Sequence, residues 1–83
     1  MKLPIIRQFY QNNSSEDLEK TLDVLESFTE FRGVSDEELN IVGEMITNIC
    51  GALEVHKSVA KGQPEKDALN GFAQKVMGSI DRA

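Results

Sequence analysis

The sequence predicts an all-α fold: a small helical bundle of three main helices plus a short N-terminal helix, in a single domain over residues 1–83. Two observations predict it. The stretch 35–62 carries both start and stop signals for one long helix, and the segments on either side repeat apolar residues at helical spacing. The remaining helices are therefore expected to pack around this long one.

The first short helix is predicted over residues 3–11. Pro4 suits a first helical position, and Ile5 and Phe9 are spaced to share one face. A strand is the alternative for so short an apolar run, but the chain offers no second strand to pair with it.

The second helix is predicted to begin after Ser14 or Ser15, either of which can cap it, and to be closed by Gly33. Its apolar residues fall on one broad face and its acidic residues on the opposite one, as in a two-sided surface helix of about four turns. The apolar face consists of Leu18, Thr21, Leu22, Val24, Leu25, Phe28 and Phe31, and the acidic face of Glu19, Asp23, Glu26 and Glu30.

The long central helix has the sequence of a capping box at its start. The Ser35 side chain can accept from the Glu38 amide while the Glu38 carboxylate accepts from the Ser35 amide. At the other end, Gly62 tolerates the left-handed conformation and Pro64 cannot continue the helix. A last helix is predicted from about Pro64 to Ser79.

Two apolar lines run along the central helix at alternating steps of three and four residues, so we expect it to be covered on more than one side. The first line is Leu39, Val42, Ile46, Ile49 and Leu53, extended by His56 and Ala60. The second is Ile41, Met45, Asn48, Ala52, Val55 and Val59.

Small residues between these lines, Gly43, Thr47, Cys50 and Gly51, would let another helix approach closely. Glycine in a helix interior costs roughly 1 kcal/mol against alanine, and close packing is one reason to find it there. A kink or break near Gly51 is the alternative.

The chain carries a net charge of -5, concentrated in its first half: ten acidic residues and two basic ones lie between residues 16 and 44. Nucleic acid and anionic membranes are excluded as partners, because both require a basic patch. The acidic line Glu19, Asp23, Glu26 and Glu30 is a candidate surface for a basic protein partner. The alternative is an ordinary solvated helix face.

No constellation for catalysis, a cofactor or a metal is found. His56 is the only histidine and lies among apolar residues, which indicates a residue at the boundary of the core. Cys50 lacks a basic neighbour that would activate its thiol, and we expect it to be a buried packing residue. Asn48 and Asn70 interrupt apolar faces, where a polar residue sets register or caps a backbone group. We expect no enzyme.

A single cysteine excludes an intrachain disulfide and fits a reducing compartment. The N-terminal segment has no pattern of a signal peptide, and no apolar run approaches the roughly 20 residues of a membrane span. The sequence therefore predicts a cytoplasmic protein.

The segments GALEV at 51–55, ALNGF at 68–72 and GSID at 78–81 resemble a family of short bacterial helical proteins catalogued as a domain of unknown function. The opening KLPII and the segment DEELNIVGEMITN are similar to the same family. The resemblance runs nearly end to end and is weakest over residues 8–31. It implies a stand-alone helical protein and supplies no catalytic residues.

The expected function is that of a small interaction protein, a homodimer that presents its acidic helix face to another protein. Self-association is assigned to the second line of the central helix, which has only the short first helix to cover it: Ile41, Met45, Ala52, Val55 and Val59. The competing hypothesis is a binder of a small apolar ligand in a pocket lined by Met45, Phe72 and Met77.

Overall fold

The computed structural model describes the backbone of residues 2–81 and the side chains of residues 2–75. Four helices make up the fold: α1 (Leu3–Asn12), α2 (Ser15–Thr29), α3 (Asp36–Ala60) and α4 (Glu65–Asp81). The predicted all-α bundle of three main helices and a short N-terminal one is confirmed.

The ends of α3 follow the local signals in the sequence. The Ser35 hydroxyl accepts from the Glu38 amide at 3.2 Å, and the Glu38 carboxylate accepts from the Ser35 amide at 3.0 Å, so the capping box is complete. Gly62 adopts a φ of 101°, the left-handed conformation that glycine tolerates. The helix is continuous through Gly51, so the predicted alternative of a break there is wrong.

At the start of α2, the Ser14 hydroxyl accepts from the Asp17 amide at 3.1 Å, which settles which of the two serines is the cap. The prediction that Gly33 closes α2 is wrong. The helix stops at Thr29, and Gly33 does not have the positive φ of a glycine cap. Phe31 therefore lies outside the helix, and its side chain is 74% exposed rather than part of the apolar face.

All three other helices pack on α3, which occupies the centre of the fold as predicted. Their buried apolar residues form one core: Ile6, Leu18, Ile49, Ala52, Val55, Ala68 and Leu69. Ile6 and Val55 are fully buried. This core lies in the C-terminal two thirds of α3.

The direction of α1 follows from its polar contacts with α3. The Lys2 amide donates to Oδ1 of Asn48 at 3.0 Å, and Tyr10 at the other end of α1 lies against His56, with ring centroids 4.5 Å apart. The first helix therefore runs parallel to α3 and begins at the level of Asn48. Asn48 is 2% exposed and satisfies a backbone amide, which confirms the prediction that it caps a backbone group.

The prediction of close helix packing along the strip of small residues is correct at Gly51. A Cβ atom on Gly51 would lie 2.8 Å from Cδ1 of Ile6 and 3.0 Å from Cε2 of Phe72, so both α1 and α4 approach closely there. Gly43 has nothing within 4 Å of the corresponding position, and Cys50 is exposed. Close packing at Gly43 and burial of Cys50 were wrong, because no helix in the described part of the chain covers that side of α3.

Candidate functional site

The acidic residues singled out in the sequence lie together on the surface. Glu19, Asp23 and Glu26 lie on α2, and Glu30 is the residue that caps its C-terminus. All four are exposed, and none has an ion-pair partner among the residues that the structure describes. We call this set the acidic flank of α2.

The thiol of Cys50 shows where the acidic flank lies relative to α3. Partial desolvation, followed by the negative charges of Glu26 and Glu54, raises the pKa of Cys50. Glu26 therefore lies on the same side of the α2–α3 pair as Cys50. A raised pKa lowers the fraction of nucleophilic thiolate at a given pH.

The opposite side of the same helix pair is apolar. Successive helical residues turn by about 100°, so Met45 lies about 140° from Cys50, with the surface that contacts α2 between them. On α2, Val24 is rotated by about 200° from Glu26. Four exposed apolar residues thus lie on the side away from the acidic flank: Val24, Phe28, Ile41 and Met45. We call them the apolar flank.

The predicted self-association line is divided between surface and core. Ile41 is 63% exposed and Met45 39% exposed, whereas Ala52 and Val55 are fully buried and Val59 is half-buried. Ala52 and Val55 are therefore part of the core of the single chain, and a role for the line in self-association stays a prediction. The first helix is long enough to cover them, although the sequence suggested that it would leave the whole line open.

The predicted ligand pocket is not assembled in the form expected. Met45 is on the surface, Phe72 packs near Gly51, and the side chain of Met77 lies outside the described residues. An open groove of about 520 Å³ runs instead between α1 and α4. Apolar Leu3, Pro4 and Leu69 and charged Arg7, Glu65 and Lys66 line it. Sequence reasoning missed this groove, because it depends on the angle between two helices.

The comparison with protein-family models decides the family. One model, described as a family of unknown function (DUF6952), matches residues 1–81. The chain belongs to the DUF6952 family. The family resemblance inferred from the sequence is thereby confirmed. Searches of curated proteins and of solved structures return no significant match.

The histidine of this DUF6952 chain contacts the turn between two helices. His56 is half-buried, and its Nε2 lies 2.8 Å from the carbonyl oxygen of Asn13, which ties α3 to the turn between α1 and α2. His56 is thus a boundary residue, as predicted. Asn70 is exposed and does not interrupt a buried face.

Residues 2–75, whose side chains are described, contain no group of three or more His, Cys, Asp or Glu side chains positioned to hold a metal ion. Among the described helices, none is long and apolar enough to cross a membrane.

Proposed function

We propose that this DUF6952 chain is a small, non-catalytic cytoplasmic interaction protein that acts as a homodimer and presents the acidic flank of α2 to a basic protein partner. The observation that supports it is the division of the α2–α3 pair into two unlike surfaces. One side carries carboxylates that have no ion-pair partner among the described residues, and the other carries exposed apolar side chains. A protein with these two surfaces can self-associate through one and bind a partner through the other.

The negative charge of the acidic flank favours selective recognition and fast association of a basic partner more than it favours tight binding. Complementary charges steer a basic partner and reject an acidic one, and salt weakens both effects. The four carboxylates need no rearrangement to bind, since no described ion pair has to be broken first. The cytoplasmic assignment is supported by the free, exposed thiol of Cys50, which suits a reducing compartment.

Affinity capture from a native cell lysate tests the partner surface. The unmodified protein is compared with an Asp23→Asn/Glu26→Gln variant, and the control variant Glu37→Gln/Asp67→Asn loses the same charge at exposed positions of α3 and α4. We expect a captured protein to be lost from the first variant, retained by the control and released as salt rises. Equal capture by all three proteins would refute the acidic flank as the binding surface.

A second candidate function, binding of a small apolar ligand, is supported by the groove between α1 and α4. Native mass spectrometry of the purified protein would detect a bound small molecule. Asn70→Trp, at the groove, should then reduce the ligand-bound fraction, whereas Gln74→Trp on the same helix should not. Protein that carries no small molecule would argue against this function.

A further inference from the structure

The groove between α1 and α4 is bounded by two antiparallel helices. A Cβ atom on Gly51 would meet both Ile6 of α1 and Phe72 of α4, so these two side chains lie at the same level. Nearer the end of α1, the Gln11 side-chain amide donates to the Glu65 carboxylate at 2.7 Å. Residue numbers therefore rise along α1 while they fall along α4, and this hydrogen bond joins the two helices at one end of the groove.

The size of the groove suits a small molecule rather than the helix of a partner. Its lining covers residues 3–7 of α1 and 65–70 of α4, or about 6 Å and about 8 Å of helix axis. A helix docked by residues i to i+7 needs about 10 Å. The volume of about 520 Å³ lies within the range of small-molecule sites, and Leu3, Pro4 and Leu69 give it an apolar lining.

Two cationic side chains face this apolar lining, one from each helix. Residues 2–14 contain no acidic residue, and their only charged side chains are those of Lys2 and Arg7. Arg7 lines the groove from α1, and Lys66 lines it from α4. Both are exposed, and neither has an ion-pair partner among residues 2–75, whose side chains the structure describes.

The acidic residues in the first turn of α4 do not cancel this positive charge. Glu65 lines the groove, and its carboxylate accepts the amide of Gln11 at the end where α4 begins. At about 100° per residue, Asp67 is turned about 130° away from the middle of the face of α4 that lines the groove. Two cations against one carboxylate leave an excess of one positive charge at the groove, in a chain whose net charge is -5.

We propose that the groove between α1 and α4 binds a small amphipathic carboxylate. Its aliphatic chain lies on Leu3, Pro4 and Leu69, and its carboxylate lies between Arg7 and Lys66. A guanidinium can hold a carboxylate through two parallel hydrogen bonds, and the lysine ammonium adds a point charge. This inference rests on the second candidate function, for which it names the chemical class of the ligand.

Isothermal titration calorimetry of the full chain tests the charge of the ligand. Octanoate is the probe, and octylammonium and octanol carry the same chain with a positive or a neutral head group. Octanoate should bind more tightly than octylammonium. Arg7→Gln/Lys66→Gln should weaken octanoate binding about three- to thirtyfold and leave octanol binding unchanged. The matched control Lys20→Gln/Arg32→Gln loses the same charge at exposed positions away from the groove and should bind octanoate like the unmodified protein.

The outcomes separate this inference from the function on which it rests. Octanol binding that Asn70→Trp abolishes, together with octanoate binding that Arg7→Gln/Lys66→Gln does not weaken, would refute the carboxylate and leave an apolar ligand in the groove. If neither octanoate nor octanol bound at millimolar concentration, both the inference and the second candidate function would be overturned. Tighter binding of an acetylated tripeptide that ends in leucine would replace the small molecule by a chain terminus.

The variant is expected to fold, because both substituted side chains are exposed, and helical circular dichroism checks this. If it loses helix, amide shifts of the unmodified protein in nuclear magnetic resonance spectra decide. Octanoate should shift the amides of Arg7, Lys66 and Leu69 more than those of Asp23 and Glu26. The reverse order would overturn the site.

Discussion

The close approach of α1 and α4 to Gly51 predicts opposite effects for the same substitution at two glycines of α3. Replacing glycine by alanine in a helix interior gains roughly 1 kcal/mol of helix propensity. At Gly43 nothing lies within 4 Å of the new Cβ atom, so Gly43→Ala should stabilise the protein by up to about 1 kcal/mol. At Gly51 the same atom would meet Cδ1 of Ile6 at 2.8 Å and Cε2 of Phe72 at 3.0 Å.

The energetic cost of this contact decides whether Gly51→Ala stabilises or destabilises the protein. Overpacking a core typically costs about 1 to 3 kcal/mol, and Ile6 is fully buried, so its side chain has little free space to move into. After the propensity gain is subtracted, Gly51→Ala should destabilise the protein by about 0 to 2 kcal/mol. Gly51→Leu, which adds three more carbon atoms at the same contact, should destabilise it further.

Urea denaturation followed by helical circular dichroism measures both variants, at one protein concentration because self-association would couple to unfolding. If Gly51→Ala stabilised the protein as much as Gly43→Ala, the close contact at Gly51 would be refuted. A double-mutant cycle identifies the side chain responsible. Ile6→Val removes Cδ1, the nearest atom, and should reduce the cost of Gly51→Ala by about 0.5 kcal/mol or more.

Two further predictions concern a helix cap and the thiol. Ser35→Ala should lower the free energy of unfolding by about 1 kcal/mol, which appears as a fall of several degrees in the melting temperature. Equal melting temperatures for the two proteins would contradict a stabilising capping box. Hydrogen bonds from the Ser35 amide and hydroxyl lower the pKa of Glu38. The hydroxyl's share of this stabilisation is present above pH 4.5 and is lost as pH falls through the lowered pKa of Glu38. The difference between the two melting temperatures should therefore narrow in acid, whereas the part due to the Glu38 amide, which does not titrate, should remain. Cys50 should react with iodoacetamide at pH 8 more slowly than a free cysteine, and Glu54→Gln should accelerate the reaction; a faster rate than free cysteine would contradict the raised pKa.

The features predicted correctly are those encoded within a few residues of one another. The capping box at Ser35 and the left-handed Gly62 fixed both ends of α3, because their partners lie within one helical turn. Gly33 was wrong as the end of α2 for a related reason. A glycine after a helix permits a left-handed cap without requiring one, and α2 ends four residues earlier, at Thr29.

The wrong predictions on α3 share one physical cause. Helical periodicity shows which residues lie on one side of a helix, but it does not show where along the helix a neighbour begins and ends. Ala52 and Met45 lie on the same line, and only the position of α1 makes one buried and the other exposed. Similarly, Gly51 contacts α1 and α4, whereas Gly43 lies where neither helix is close.

Asn48 has a central place in this arrangement because it sets the position of α1 along α3. Its side chain is almost fully buried and accepts the Lys2 amide, just where α1 begins. Sliding α1 by one turn towards the N-terminus of α3 would cover Met45 but would leave Asn48 buried without that partner, at a cost of about 1 to 3 kcal/mol. Ile6 would also leave the space that the missing side chain of Gly51 provides. The buried amide and the glycine thus hold α1 at the C-terminal part of α3, which leaves Ile41 and Met45 exposed to solvent.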